Sequence, residues 1–349
     1  MKIENMNNSN IEKFSPVIIP TLNRFEHFYQ CLESLEKCRY SDLTDIFIGL
    51  DYPPSDYYRE GWEKINSYLL EKEKQNNFKS LTVFRRDHNC GISGEGNNYE
   101  LLSSYVLERY DRLILSEDDN IFSYRFLDYI NNGLCKYEND KSIFAICGYQ
   151  YADMSNSFQS TVIKLDEFSA WGYGIWKDRM NLYNNYLSKE AMKTILDDKK
   201  YIKRCKDISN KMRLCSLVRM YKGGEVWGDS LISSILIHLN MKCIFPIVTL
   251  VKNNGWDGSG SHGGKVEGFN LREIDESTDN FCFIESEGKE SLKIIEFINK
   301  ALYTKKWNIQ NTLASITWII YEKTGFYYGF GKFRKIWRKI RNYYYKLYK

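Results

Sequence analysis

Four short apolar runs recur through the first half of the chain: PVIIP (Pro16–Pro20), DIFIGL (Asp45–Leu50), LTVF (Leu81–Phe84) and RLIL (Arg112–Leu115). Between and after them lie longer segments with helical periodicity, near Arg24–Cys38, Asp56–Lys74, Gly94–Glu108 and Ser123–Tyr137. Runs this short are strands rather than helices, and their alternation with helices predicts βαβ units around a largely parallel sheet. In such sheets ligands bind beyond the carboxyl ends of the strands, so the residues following each run are where chemistry is expected. Each of those ends is polar.

The most pointed of them is Ser116-Glu117-Asp118-Asp119-Asn120, directly after RLIL. Three successive acids repel one another unless a cation or donor hydrogens compensate, and hard oxygen donors at a strand end suit Mg²⁺ or Mn²⁺ carrying a diphosphate. A solvated turn capping the next helix is the alternative, though a cap needs only one acid. The other strand ends agree with a nucleotide. Thr21, Asn23 and Arg24 follow the first, Asp51 the second, and Arg85, Arg86, Asp87, His88 and Asn89 the third. Such an Asp can accept from a base or ribose, while Arg and His can contact base or phosphate. The nearby GISGEG (Gly91–Gly96) has neither the Rossmann spacing nor a P-loop lysine, and is read as a helix entry.

Beyond IFAICG (Ile143–Gly148) the regular alternation stops. An aromatic segment, FSAWGYGIWKDRM (Phe168–Met180), carries Trp171, Tyr173 and Trp176 around Gly172 and Gly174, and flat faces beside glycines can stack on sugar rings or simply pack. Helical stretches extend to about Tyr221. GGEVWGD (Gly223–Asp229) then opens a helix through His238, where Asp229 can serve as an N-cap, as a general base, or as both, beside Trp227; Glu225 is the competing base. A strand over Cys243–Val251 follows. The loop KNNGWDGSGSHGG (Lys252–Gly264), with Trp256, Asp257 and His262, has five glycines in thirteen residues and could close over a ligand. His27 and His238 fall at ordinary helix positions. The acidic stretch Glu267–Glu290 has no clear period and is expected to wrap the surface.

Taken together, these residues resemble a glycosyltransferase of the GT-A fold, bacterial family 2 type. PVIIPTLNR, Asp51, HNCGISGEGNN and SEDDN lie in the family's order. The motif order is also similar to that of the N-acetylglucosaminyltransferase I group, whose E-D-D motif, aromatic-glycine acceptor segment, W-x-D base and late histidine loop correspond to Glu117-Asp118-Asp119, Trp171–Trp176, Trp227-Gly228-Asp229 and His262. The likeness spans residues 14–264. It implies a mostly parallel central sheet flanked by helices, with a nucleotide-sugar-binding half (14–150) and an acceptor half (151–264). By the same resemblance Asp119 and His262 hold Mn²⁺ or Mg²⁺, and Glu117 and Asp118 face ribose and donor sugar. Asp51 and His88 contact the nucleobase, with Thr21, Asn23, Arg24, Arg86 and Asn89 completing the donor site. Trp171, Gly172, Tyr173, Trp227 and Trp256 serve acceptor or lid, and Asp229 is the general base of an inverting displacement. Departures are the S-E-D-D-N sequence in place of a simple D-x-D, and Asn253, Asn254 and Trp256 in the glycine-rich loop.

Charge excludes some classes and suggests an address. The last eighteen residues, Lys332–Lys349, hold eight of the 49 basic side chains and no acid, so the remaining 41 face 45 acids. A mildly acidic body argues against nucleic acid as partner. In that tail Phe333, Ile336, Trp337, Ile340, Tyr344 and Leu347 share one helical face, which suits docking to an anionic membrane surface or packing on the acidic body. Residues 265–331 are expected to form the wrap and further helices, and 1–13 a polar lead-in. No run is long enough to span a membrane and Met1–Lys13 lacks a signal-peptide centre, so a cytoplasmic location is expected, peripheral on the inner face of the cell membrane through the tail. The nine cysteines are odd in number and never spaced C-x-x-C, which predicts reduced thiols. The implied partners are a nucleotide-sugar donor, a UDP-sugar being favoured, and a saccharide or lipid-linked glycan acceptor. By analogy the setting is bacterial surface polysaccharide or glycolipid synthesis. The competing readings are a sugar-nucleotide- or glycan-binding protein without transfer activity, and a nucleotidyltransferase, for which the glycine-rich N-terminal loop is missing.

Overall fold

A computed structural model describes residues 13–325, apart from 93, 95, 153, 155–157, 208–210, 261–272 and 304–308. His262 and the basic tail 332–349 therefore lie outside the described residues. The sheet is built from β1 (Val17–Thr21), β2 (Asp45–Leu50), β3 (Ser80–Arg85), β4 (Arg112–Leu115), β6 (Ile143–Cys147), β7 (Val162–Leu165), β8 (Tyr173–Trp176) and β9 (Lys242–Pro246), while β5 (Asn120–Phe122) and β10 (Val251–Asn253) form a separate antiparallel pair. Its strand order is 3-2-1-4-8-6-9-7. Strands β1, β2, β3 and β4 are mutually parallel, β6 and β9 are parallel to each other, and β8 and β7 pair antiparallel with their neighbours. This is the expected mixed α/β class with a mostly parallel central sheet flanked by helices.

The first four strands fall where the apolar runs predict them. Their crossover helices are α1 (Phe25–Glu36), α2 (Arg59–Lys72) and α3 (Asn98–Leu107). One face of the sheet buries Val17, Ile19, Ile46, Ile48 and Ile114 against α1 and α2, and the other buries Ile18, Phe47, Leu113 and Leu115 against α3, as alternation along buried strands requires. The entry to α3 is built locally. Gly91, Gly94 and Gly96 take positive φ, Asn97 Oδ1 accepts from Glu100 N at 3.1 Å, and Glu100 Oε2 accepts from Gly96 N at 2.8 Å, a reciprocal cap. The helix thus begins at Asn98, four residues later than the periodicity suggests.

After β5, α4 (Phe126–Lys136) packs Ile130 and Leu134 so closely on β8 that a Cβ on Gly174 would sit 2.5 Å from Ile130. The aromatic segment is therefore partly a core strand. Trp176 donates Nε1 to Leu134 O at 3.1 Å, and Tyr173 is buried, its ring 4.8 Å from that of Phe168. The run Cys243–Val251, expected as one strand, breaks after Pro246 into β9 and β10, which serve different sheets.

Helices α5 (Lys177–Asn185), α6 (Lys189–Asp197), α7 (Lys199–Asp207), α8 (Lys211–Tyr221) and α9 (Gly228–Leu239) follow. Most of them share a third apolar cluster with α11 (Ile309–Thr324), centred on Tyr201, Leu217, Ile235 and Trp318. Residues 273–286 have no helix or extended strand and are mostly exposed or half-buried. Phe281 and Phe283 pack on Tyr129, and Thr161 N donates to Ile284 O at 2.8 Å before α10 (Gly288–Tyr303) begins. All nine cysteines are free thiols. Among the described residues no helix is long and apolar enough to cross a membrane.

Candidate functional site

The parallel strands β1 to β4 end on one edge, and the polar groups predicted after them meet there. The turn Ser116–Asn120 leaves β4 and enters β5. It is held from behind by Asn120 Nδ2 donating to Ser116 Oγ at 3.1 Å, and by Phe122 N donating to Ser34 Oγ of α1 at 3.1 Å. Its carboxylates are not loose in solvent: Asp118 and Asp119 are only 7% and 6% exposed.

Arg24 is the ion that makes this possible. Its Nη2 bridges the two acids, lying 2.8 Å from Asp119 Oδ2 and in direct contact with Asp118 Oδ1. Thr21 Oγ1 donates to Asp118 Oδ2 at 2.9 Å, and Asn253 Nδ2, from the far strand β10, donates to Asp119 Oδ1 at 2.6 Å. Burial alone would lower the Arg24 pKa, but the two carboxylates outweigh it and raise it. Asn253 also accepts from Gly255 N at 3.0 Å, and Asn254 N donates to Asp119 O at 2.8 Å, so the start of the glycine-rich loop folds back over the turn. That approach requires glycine: a Cβ on Gly255 would fall 2.1 Å from Asp119 Oδ2.

Three carboxyls against one guanidinium leave negative charge in excess. Burial, then Asp119 and Asp118, push the Glu117 carboxyl up to about 8, against the opposing pull of Arg24, and Asp229 adds to the rise. Burial likewise raises Asp118 in spite of Arg24. An acid whose folded pKa is raised binds more protons folded than unfolded between the two values, so stability falls as pH climbs through that window. In chelator, Glu117→Gln should accordingly gain stability over wild type from about pH 5 upward, reaching a few kcal/mol by pH 9. Urea denaturation at pH 5, 7 and 9 checks this; a constant difference would mean that Glu117 is solvated.

At the ends of β2 and β3 the polar groups are largely engaged with the protein itself. Asp51 is buried and its carboxylate accepts from Tyr52 N at 2.9 Å, Cys90 N at 2.8 Å, Gly91 N at 3.0 Å and Asn89 Nδ2 at 3.1 Å. A carboxylate offers about four acceptor positions, so Asp51 is engaged in fixing the 89–91 loop. Arg86 Nε donates to Asn98 Oδ1 at 3.0 Å, and Asn98 Nδ2 donates to Gly49 O at 2.7 Å. Arg85 instead pairs with Glu73 at 2.8 Å, away from the edge. His88 is exposed, with Nδ1 2.6 Å from Asp87 Oδ1. Asn23 lies against α2, where its carbonyl leaves no room for a side chain at Gly61.

The aromatic set divides. Trp171 stands edge-on to Tyr149 at 4.5 Å and to Trp256 at 5.8 Å, forming one wall with the loop, and Gly172 at φ +66° accepts from Gly148 N at 2.8 Å. Tyr173 is core, and the Arg219 guanidinium covers the Trp227 ring at 4.4 Å. Burial in β8 removes Tyr173 from the wall on which a sugar could stack, while Trp227 stays partly exposed with Arg219 over its ring. Trp227, rather than Asp229, is the N-cap of α9; Asp229 lies in the first turn, is exposed, and accepts from Ser230 N at 2.7 Å. Its charge reaches both Glu117 and Tyr151. Glu225 is exposed in the preceding loop. His27, read as an ordinary helix residue, lies 3.3 Å from Asp257 and ties α1 to the glycine-rich loop.

The described residues alone build no metal cage: no three His, Cys, Asp or Glu side chains among them converge. The donor set still suits a hard divalent cation of the kind held by one or two carboxylates together with phosphates and water, because the acids outnumber the guanidinium. Asp119 is the carboxyl expected to meet it; His262, the other expected ligand, lies outside the described residues. Asn253 and Gly255 are the site residues that sequence reading leaves unassigned; their signal is the NNG directly after an apolar strand.

No protein-family model matches the chain, and no curated protein matches it. Among solved structures it is similar to S. aureus TarS 1-349 in complex with UDP-GlcNAc, at 11% identity over 90% of this chain and 74% of that one, with a TM-score of 0.38. It is also similar to the mannosyltransferase PcManGT from Pyrobaculum calidifontis in complex with GDP-Man and Mn²⁺, at 12% identity over 65% and 70% with a TM-score of 0.33. Mouse xyloside xylosyltransferase 1 gives 10% over 66% and 83%, with a TM-score of 0.37. Against a longer S. aureus TarS structure the match spans only 24% of that chain.

Proposed function

We propose that the chain is a glycosyltransferase that moves a sugar from a nucleoside-diphosphate sugar to a hydroxyl of an acceptor, with inversion. The observation that carries this reading is the buried Glu117-Asp118-Asp119 turn, compensated by Arg24 and Asn253, at the carboxyl edge of the parallel strands with Asp229 within electrostatic reach. Asp119 would hold a divalent cation, which would offset the charge that develops on the departing diphosphate, and Glu117 and Asp118 would face the ribose and donor sugar. Arg24 adds a fixed positive charge beside it, and the loop anchored by Asp51 borders the base and ribose. Asp229, on the first turn of α9, takes the proton from the acceptor hydroxyl as that oxygen attacks the anomeric carbon from the face opposite the leaving group. No covalent intermediate is needed, so no second nucleophile is required of the site.

The direct test is a calorimetric and thermal-shift panel of UDP-, GDP-, CMP- and dTDP-sugars with and without Mn²⁺, on wild type and Asp119→Ala. One nucleotide class is expected to stabilise the wild type in a metal-dependent way and to leave the variant unmoved. Silence across the whole panel would make the acidic turn a structural feature and retire the reading.

A further inference from the structure

Asp229 borders a second feature, an open cleft of about 240 Å³ between α8, α9 and the segment before β8. Its size is near the lower end of small-ligand sites, enough for one compact ring rather than an extended chain. Tyr151, half-buried, and Phe168, only 3% exposed, are among its lining residues, together with three hydroxyl residues, Ser216 from α8 and Ser230 and Ser233 from α9. Ser234, the next residue along, turns inward instead and donates Oγ to Ser230 O at 2.9 Å. Hydroxyls together with the Tyr151 ring match the chemistry of a sugar ring, polar at its rim and apolar across its face.

Charge narrows the ligand further. The charged side chains lining the cleft are Arg213, Glu167 and Asp229. Arg213 Nη2 donates to Glu167 Oε2 at 2.5 Å, so this pair cancels and Asp229 leaves the cleft with one net negative charge. A phosphate or carboxylate brought in here would meet that carboxylate without a compensating cation.

We infer that this cleft is the acceptor subsite, and that it takes a neutral saccharide ring while rejecting acceptors that carry an anionic group at that ring. The assignment rests on the transferase reading only for the role of Asp229; the binding selectivity stands on the cleft itself. A ring lying against Tyr151 with its hydroxyls toward Ser216, Ser230 and Ser233 would bring one hydroxyl to Asp229.

Saturation-transfer NMR with methyl β-glycosides of glucose, galactose and N-acetylglucosamine, and with methyl β-glucuronide as the anionic counterpart, tests this on the full chain. At least one neutral glycoside is expected to bind, with the glucuronide about ten-fold weaker or worse, as one uncompensated like charge at close range implies. Ser216→Trp should fill the cleft and abolish the signal with folding retained by circular dichroism. Asp229→Asn removes the net charge without filling the cleft and should raise glucuronide binding by about ten-fold relative to the neutral glycosides. Glucuronide binding as tight as its neutral counterpart, no neutral glycoside bound, or signals indifferent to both variants would each overturn the inference. Nucleotide-sugar binding, measured separately, decides the transferase reading: glycosides held in the cleft with no nucleotide response would leave the subsite and remove the reaction.

Discussion

Arg24→Met is expected to destabilise the protein by about 3–5 kcal/mol at neutral pH, the range for removing one partner of a buried ion pair. The reason is local. Without the guanidinium, Asp118 keeps only Thr21 Oγ1 and Asp119 keeps Asn253 Nδ2 and little else, both in surroundings where water reaches them poorly. Two charges held that close repel strongly at low effective dielectric, so one must take a proton on folding. Asp118, whose pKa burial already raises, is the one to do so. The loss should therefore shrink on acidification, because below the unfolded carboxyl pKa both states are protonated. Arg24→Met combined with Asp118→Asn should recover at least half of the lost stability, since it removes the stranded charge along with its partner. Urea denaturation of the two single variants and the double variant at pH 5 and pH 8 measures all three. A loss below about 1 kcal/mol, typical of surface pairs, would show that Arg24 does not hold the turn together. The same variant should lose the nucleotide-dependent thermal shift, because the donor phosphates and the turn depend on one cation.

How much of this was legible beforehand divides along a physical line. Strands β1 to β4 and their helices are encoded by local pattern: apolar runs too short to be helices, separated by amphipathic segments, leave one architecture open. The acidic turn was legible for a related reason, since three acids in sequence demand compensation wherever they fold. Arg24 also sits only three residues past β1, near enough in sequence to be placed on the same edge. What the sequence hides is pairing at long range. Strand β8 inserts antiparallel between β4 and β6, and FSAWGYGIWKDRM reads equally as a sugar-stacking or a packing cluster because nothing local reports that Gly174 lies under Ile130. Tyr173 was misjudged for that reason. Asn253 reaches Asp119 across 134 positions, a contact that exists only because β10 pairs with β5. Asp51 shows a different limit. Its place at a strand end was correct, but whether a carboxylate faces a ligand or closes a loop depends on which backbone amides arrive beside it. His27 is the converse case, an ordinary helix position that becomes part of the site's surroundings once Asp257 folds over α1.

Asp229→Asn should lower transfer to an acceptor by about 10²–10⁴ in kcat, the contribution of a placed general base, while leaving nucleotide-sugar affinity within a factor of about two. The amide keeps the size of the side chain and can still accept from Ser230 N through its carbonyl oxygen, so the first turn of α9 should persist. What it loses is basicity toward the acceptor hydroxyl. Two comparisons make the result specific. Glu225→Gln, in the exposed loop before the helix, should transfer sugar at close to the wild-type rate, because Asp229 borders the serine-lined cleft and Glu225 does not line it. Slow hydrolysis of the donor by water should fall less than transfer, since water needs no positioning by the cleft. The opposite outcome, with Glu225→Gln inactive and Asp229→Asn active, would move the base to the loop and separate the cleft from the chemistry. Nucleotide binding without turnover in the wild type, unchanged by either substitution, would instead favour a sugar-nucleotide-binding protein, in which the acidic turn holds its ligand and Asp229 has no hydroxyl to deprotonate.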